Sequence, residues 1–268
     1  MNIQLLALDL DGTTLDHDQR ISDRVLKAVR MAQSRGVRVT IATGRNVPST
    51  RPFVERMGIV EPIICHQGGL IYDLQREHTL RRVVLDHILA CEVLALADRF
   101  PDWHPVVYQQ NRIFVHDLQD FAEIHHLVGF NPEVAENLCA LAAQDEVDKV
   151  LFAVQPDQAG SVLETLRDVV GERALIVRSH AQFVEVNPVG ADKGSALLWL
   201  AERLGVSQSQ VMAVGDQGND VSMIARAGIG VAMGNGAEET KAIADWIAPS
   251  IDEDGAAVAI ERFILAVA

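Results

Sequence analysis

Two carboxylates stand two residues apart in Asp9-Leu10-Asp11-Gly12-Thr13-Thr14, directly after an almost unbroken apolar run that starts at Ile3. An acid buried without a partner costs several kcal/mol or takes up a proton, so a pair at this place suggests a shared cation. Oxygen donors suit Mg²⁺ best. The plainer alternative is that Asp9 and Asp11 only close a turn with Gly12. Thr43-Gly44-Arg45 ends a second apolar run and offers a hydroxyl and a glycine N–H of the kind that hold a phosphate oxygen, although Thr-Gly is also an ordinary strand-to-helix turn. Lys193 begins a predicted helix, where the macrodipole disfavours a cation. A phosphate partner would explain it, and a solvated surface lysine remains the other reading. Gly215-Asp216-Gln217-Gly218-Asn219-Asp220 brings two more acids and an amide after a third apolar run, where Asp216 or Asn219 could also serve as a helix cap. Acid-rich turns after two strands, with a hydroxyl and a cation between them in sequence, point together to metal-assisted phosphoryl chemistry.

The elements that must carry these residues follow from the apolar patterning. Residues 3–9 read as a strand buried on both faces, the kind found at the centre of a parallel sheet. Ser22 is placed to cap a helix with Val25, Leu26, Val29 and Ala32 on one face, and Gly36 follows where such a helix ends. Strands at 37–43 and 62–66 flank a helix at 46–57, giving consecutive βαβ units. After residue 189 the alternation resumes: a helix at 194–204, a strand at 211–215, a helix at 221–227, a strand at 229–232, then helices at 238–244 and 254–266. Between them the rhythm changes to helices near 87–99 and 159–169 and strands near 106–108, 112–116, 149–154, 175–178 and 183–186. The expected division is therefore a first domain from both ends of the chain, 1–82 and 189–268, with an α+β domain, 83–188, inserted in it.

Composition narrows the function. The 268 residues carry 23 Lys plus Arg against 37 Asp plus Glu, a formal charge of −14, which argues against a nucleic-acid partner. The longest apolar stretches fall short of the roughly 18 residues that a membrane helix needs, and 256–268 is broken by Glu261 and Arg262. The first residues lack the basic start and cleavage site of an export signal, so a cytoplasmic protein is expected. Cys65, Cys91 and Cys139 lie far apart without zinc-ligand spacing, and reduced thiols are the expectation for all three. Oligomeric state is not set by any of these features.

Taken in order, the four acid-, hydroxyl- and lysine-bearing segments resemble the four motifs of the haloacid dehalogenase superfamily. The large insertion between the second and third, with Gly-Asp-x-x-Asn-Asp at 215–220, is similar to the Cof-type subclass IIB phosphatases. The resemblance spans the whole chain in order and spacing. It implies an α/β fold, a Rossmann-like parallel-sheet core with an inserted α+β cap. It also implies that Asp9 is a nucleophile forming an aspartyl-phosphate and that Asp11 is the general acid and base. Mg²⁺ would be held by Asp9, the Asp11 carbonyl and Asp216, with Asp220 supporting the metal shell, and the phosphoryl oxygens by Thr43, Gly44, Lys193, Asn219 and the Leu10 N–H. A dehalogenase has no leaving alcohol to protonate and lacks an acid at the Asp11 position, so phosphatase is the reading. The implied substrate is a small phosphorylated metabolite: a sugar phosphate first, then pyridoxal phosphate or flavin mononucleotide. A phosphotransferase or mutase, or a sensor that binds without turnover, stands as the alternative; no dense arginine cluster between Arg112 and Arg167 favours transfer. Thr14 stands where an apolar residue is more usual, and His66-Gln67-Gly68-Gly69 where relatives carry Asn-Gly, leaving the roles of Gln67 and Arg45 open. Asp16, His17 and Asp18 read as a solvated loop, His125-His126 as surface or cap packing, and Trp103, Tyr108 and Phe114 as cap core.

Overall fold

The computed structural model describes residues 2–118 and 132–266; the pair His125-His126 lies outside the described residues. The chain divides into two compact units. One gathers Met1–Gly44, Thr50–Arg81 and Asp192–Ala268, and the other gathers Arg45–Ser49 and Arg82–Ala191. The inserted unit therefore runs three residues further at its C-terminal end than the sequence patterning places it, and a short piece after Gly44 joins it.

In the first unit β1 (Leu5–Leu8) is buried at every position, as its unbroken apolar sequence requires. It pairs in parallel with β2 (Arg38–Ile41) and with β12 (Val211–Gly215). β13 (Ile229–Ala232) and β14 (Trp246–Ile247) complete a five-stranded sheet in the order β14-β13-β12-β1-β2. On one face, Leu5 and Ala7 pack with Leu197, Leu200 and Met223, which come from the helices Lys193–Arg203 and Val221–Arg226. Ser22 caps the helix Asp23–Ser34 by accepting the Val25 N–H at 3.1 Å, and Val25, Leu26, Val29 and Ala32 form its buried face. Beyond β2, a parallel bridge joins Ala42 to Ile64 of β3 (Ile63–Cys65), which continues into an antiparallel sheet with β4 (Leu70–Asp73) and β5 (His78–Arg82). Register decides function here: Leu8 is opposite both Val214 and Ile41. The residues that follow the three strands, Asp9, Thr43 and Asp216, consequently leave the sheet at the same edge, where open parallel sheets place their ligands.

The second unit is a six-stranded sheet in the order β10-β11-β9-β6-β7-β8, built from β6 (His104–Gln109), β7 (Arg112–Val115), β8 (Glu133–Val134), β9 (Val147–Ala153), β10 (Ala174–His180) and β11 (Phe183–Pro188). Its pairings are antiparallel except β7 with β8. The helices His87–Ala97, Leu138–Ala142 and Ala159–Val170 share one core with Val107, Val150, Phe152 and Val184 of the sheet. Trp103 and Phe114 belong to that core, and Tyr108 to a smaller cluster with Val106, Leu151 and Phe183. Buried among the strands is an ion pair, Lys149 Nζ to Glu185 Oε2 at 2.7 Å, with the ammonium 4.4 Å from the centre of the Tyr108 ring. The expectation of three reduced thiols is corrected: Cys91 and Cys139 form a disulfide, and Cys65 alone stays outside any disulfide, buried. Packing of the helices that carry the pair brings their Cα atoms to 4.9 Å across 48 residues of sequence, a meeting that cysteine spacing does not encode.

Candidate active site

Asp9 follows β1 with its N–H donated to the Val214 carbonyl at 3.0 Å, which locks the nucleophile candidate to β12. Lys193, the first residue of its helix, is fully buried and bridges two acids: its Nζ is 2.6 Å from Asp9 Oδ1 and 2.5 Å from Asp220 Oδ1. The helix start is fixed by Asp192, whose side chain accepts the Ser195 N–H at 2.8 Å. Asp220 is held in turn by the N–H groups of Asp216 and Gln217, at 2.9 and 3.1 Å, in a tight turn. Asp9, Asp216 and Asp220 each offer a carboxylate oxygen, all within 4.8 Å of one another. Asp11 is exposed and stands outside that cluster, its backbone bridged to Leu15. The Leu10 carbonyl accepts from Thr14 and Leu15 at 2.8 and 2.7 Å, folding the chain back tightly after the strand. Thr43 is buried beyond the end of β2, with its carbonyl accepting the Gln67 N–H at 3.1 Å.

Three buried carboxylates stand beside one ammonium, and the surplus negative charge raises two of them, Asp9 and Asp216. Burial, then the Asp220 carboxylate, pushes Asp9 well above the usual carboxylate range, and Lys193 offsets this only in part. Burial and Asp220 likewise push Asp216 up to about 7. Burial would lower the Lys193 ammonium, but Asp220 and Asp9 outweigh it and hold it above its ordinary value. A divalent cation on these oxygens removes the same surplus without protons, so the donor set fits Mg²⁺.

Several participants carry no signal in sequence. The Thr13 hydroxyl donates to Asp216 Oδ1 at 3.0 Å and the Gln217 amide to Asp216 Oδ2 at 3.0 Å, so Asp216 is oriented from two sides. Gly12, at φ +80°, leaves room for that carboxylate: a Cβ there would lie 2.4 Å from Asp216 Oδ2. The Thr14 hydroxyl donates to the Asp9 carbonyl at 2.5 Å, which gives this unusual threonine a task. The Asn235 amide donates to the Gly12 carbonyl at 2.8 Å, and the Thr240 hydroxyl to the Asp216 carbonyl at 3.0 Å. Thr13 and Asn235 reach partners more than 200 residues away in the chain, and only the fold unites them. Asp16 accepts the N–H groups of Asp18 and Arg20 in an exposed turn. Arg45 is buried and grouped with the second unit, where its charge acts on Tyr108.

Comparison with known proteins places this geometry. Residues 6–260 match the family of haloacid dehalogenase-like hydrolases. A chloroplastic protein of Arabidopsis thaliana named endoribonuclease YBEY is 34% identical over 272 residues, covering 95% of this chain and 45% of that protein. This chain thus spans about half the length of that relative. A 5-amino-6-(5-phospho-D-ribitylamino)uracil phosphatase of Bacillus subtilis is 32% identical over 266 residues, covering 99% of this chain and 97% of the other. Among solved structures, a haloacid dehalogenase-like hydrolase from Bacteroides thetaiotaomicron superposes with a TM-score of 0.84 at 29% identity, covering 97% of this chain and 99% of that one.

Proposed function

The chain belongs to the haloacid dehalogenase-like hydrolase family, and from that membership we propose that it is a Mg²⁺-dependent phosphatase of small phosphomonoesters working through an aspartyl-phosphate on Asp9. The observation that carries the reading is the buried cluster of Asp9, Asp216 and Asp220 at the edge of a parallel sheet, with Lys193 bridging Asp9 and Asp220. In this reading an Asp9 oxygen attacks phosphorus as the bond to the leaving oxygen breaks, and the Asp11 carboxyl gives its proton to the departing alkoxide. Asp11 then takes a proton from water, which attacks the phosphorus of the aspartyl-phosphate, restores the Asp9 carboxylate and releases phosphate. Lys193, Thr43, Gly44, Asn219 and the Leu10 N–H hold the phosphoryl oxygens, whose charge is the main thing such a site must stabilise. Asp9, the Asp11 carbonyl and Asp216, supported by Asp220, would hold Mg²⁺, which when bound would neutralise charge between nucleophile and phosphate.

The exposure of Asp11 supports its part, because a group that must alternate between acid and base needs access to water. The Bacillus subtilis relative is named for a substrate with its phosphate on a ribityl chain, a group that flavin mononucleotide also carries; sugar phosphates remain the leading class, with pyridoxal phosphate and flavin mononucleotide behind them. We place the activity in the cytoplasm on small metabolites, without nucleic-acid or membrane partners; among the described residues no helix is long and apolar enough to cross a membrane.

The test is phosphate release from a panel of such esters with Mg²⁺, with Asp9→Asn run in parallel. Release by the wild type and a loss of about a thousandfold or more in the variant is expected. Equal rates in the two proteins would remove Asp9 from the reaction, and transfer to added polyols in excess of hydrolysis would replace phosphatase with phosphotransferase.

A further inference from the structure

The segment His66–Gly69, whose sequence departs from the resemblance, touches four of the positions assigned to phosphate. The Gln67 N–H donates to the Thr43 carbonyl at 3.1 Å. Gly68, at φ +101°, lies so close to the start of the Lys193 helix that a Cβ there would be 2.3 Å from the Asp192 carbonyl oxygen and 3.1 Å from the Lys193 nitrogen. The Gln67 side chain is buried, and its Oε1 accepts from Asn219 Nδ2 at 3.0 Å. Its Nε2 lies over Gly44, where a Cβ would come within 2.4 Å of it. His66 and Gln67 both hold positive φ, 49° and 57°, a conformation that side chains rarely adopt and that persists only where the surroundings enforce it.

We infer that Gln67 is a positioning residue for phosphoryl binding: it grips the Asn219 amide and fills the space that Gly44 leaves, so that Asn219 presents a fixed donor to the phosphoryl group. The assignment rests on the phosphatase reading above. An amide nitrogen carries two hydrogens. With one given to Gln67 Oε1, rotation of the Asn219 amide is stopped, the second hydrogen has a defined direction, and Asn219 Oδ1 is left buried without a hydrogen-bond partner. Without Gln67 the same amide is free to turn, and its donor is available only part of the time.

The experiment is a double-mutant cycle on the full chain with Gln67→Met, which keeps length and removes the acceptor, and Asn219→Ala. The readouts are KM and kcat for p-nitrophenyl phosphate and competitive inhibition by inorganic phosphate. Gln67→Met is expected to weaken phosphate inhibition and raise KM about five- to tenfold with a smaller change in kcat, and to add nothing in the Asn219→Ala background. Additive losses, or a Gln67→Met protein that matches the wild type, would overturn the assignment. No hydrolysis by the wild type would instead remove the phosphatase reading, and this assignment with it. Gln67→Glu is the second variant should the first fail to fold, because it keeps both the shape and the accepting oxygen. Its negative charge beside the phosphoryl group is expected to weaken inorganic phosphate about tenfold, less so in about 1 M salt; unchanged phosphate affinity would overturn the placement.

Discussion

At the scale of single residues, the proposed Mg²⁺ site makes Asp216 a point where metal and pH would meet. Burial and the Asp220 carboxylate push it up to about 7 in the metal-free chain. An acid whose folded pKa lies above its unfolded value keeps its proton in the folded state after the unfolded chain has released it, so this group makes folding less favourable as pH rises from about 4 to 7. A cation must displace that proton. The increase in Tm on adding Mg²⁺ is therefore expected to be larger at about pH 8 than at about pH 5.5, and equal increases would contradict binding at Asp216. Asp9→Asn removes a buried charge that only one ammonium balances, so its metal-free Tm is expected to match or exceed that of the wild type while activity is lost; a large fall in Tm would mean that the carboxylate has a structural task. Asp9, Thr43, Lys193, Asp216 and Asp220 were legible in sequence because each follows an apolar run or starts a helix, where a polar group demands a reason. Thr13, Gln217, Asn235 and Thr240 were not, since an ordinary polar side chain in a turn acquires a partner only through the fold.

Elements explain how these side chains keep their places. Gly194 lets the Lys193 helix approach the helix Val221–Arg226 until an added Cβ would sit 2.3 Å from the Ser222 carbonyl oxygen. Gly160, in the helix Ala159–Val170, has open space in the same direction. Helix propensity favours alanine over glycine by about 0.5–1 kcal/mol, and a forced core contact costs about 1–3 kcal/mol. Gly160→Ala is thus expected to stabilise the protein by about 0.5–1 kcal/mol, and Gly194→Ala to destabilise it and reduce activity by displacing Lys193; denaturant unfolding with parallel rate measurements checks both. The patterning located β12 and β13 at their observed bounds, since both are uniformly apolar. It missed the hairpin of β4 and β5, where His78-Thr79-Leu80-Arg81-Arg82 is largely polar and incompletely buried. It missed the helix Leu138–Ala142 for another reason, five residues being too few to show a period.

For the molecule as a whole, a formal charge of −14 opposes the approach of an anionic ester. The Debye length shrinks from about 30 Å at 10 mM salt to about 8 Å at 150 mM. Raising salt across that range is expected to increase kcat/KM for a dianionic substrate about twofold or more; a decrease would show that the local field of Lys193 governs encounter. The order of chain synthesis has a consequence of its own. Asp9 and the lysine that grips it are 184 residues apart in sequence, and β1 has β12 as a neighbour. At ribosomal speed, that separation takes on the order of 10–40 s to synthesise. For that interval a nascent chain holds Asp9 without its lysine, beside a hydrophobic strand still waiting for one flank, so an unfinished chain is open to chaperones.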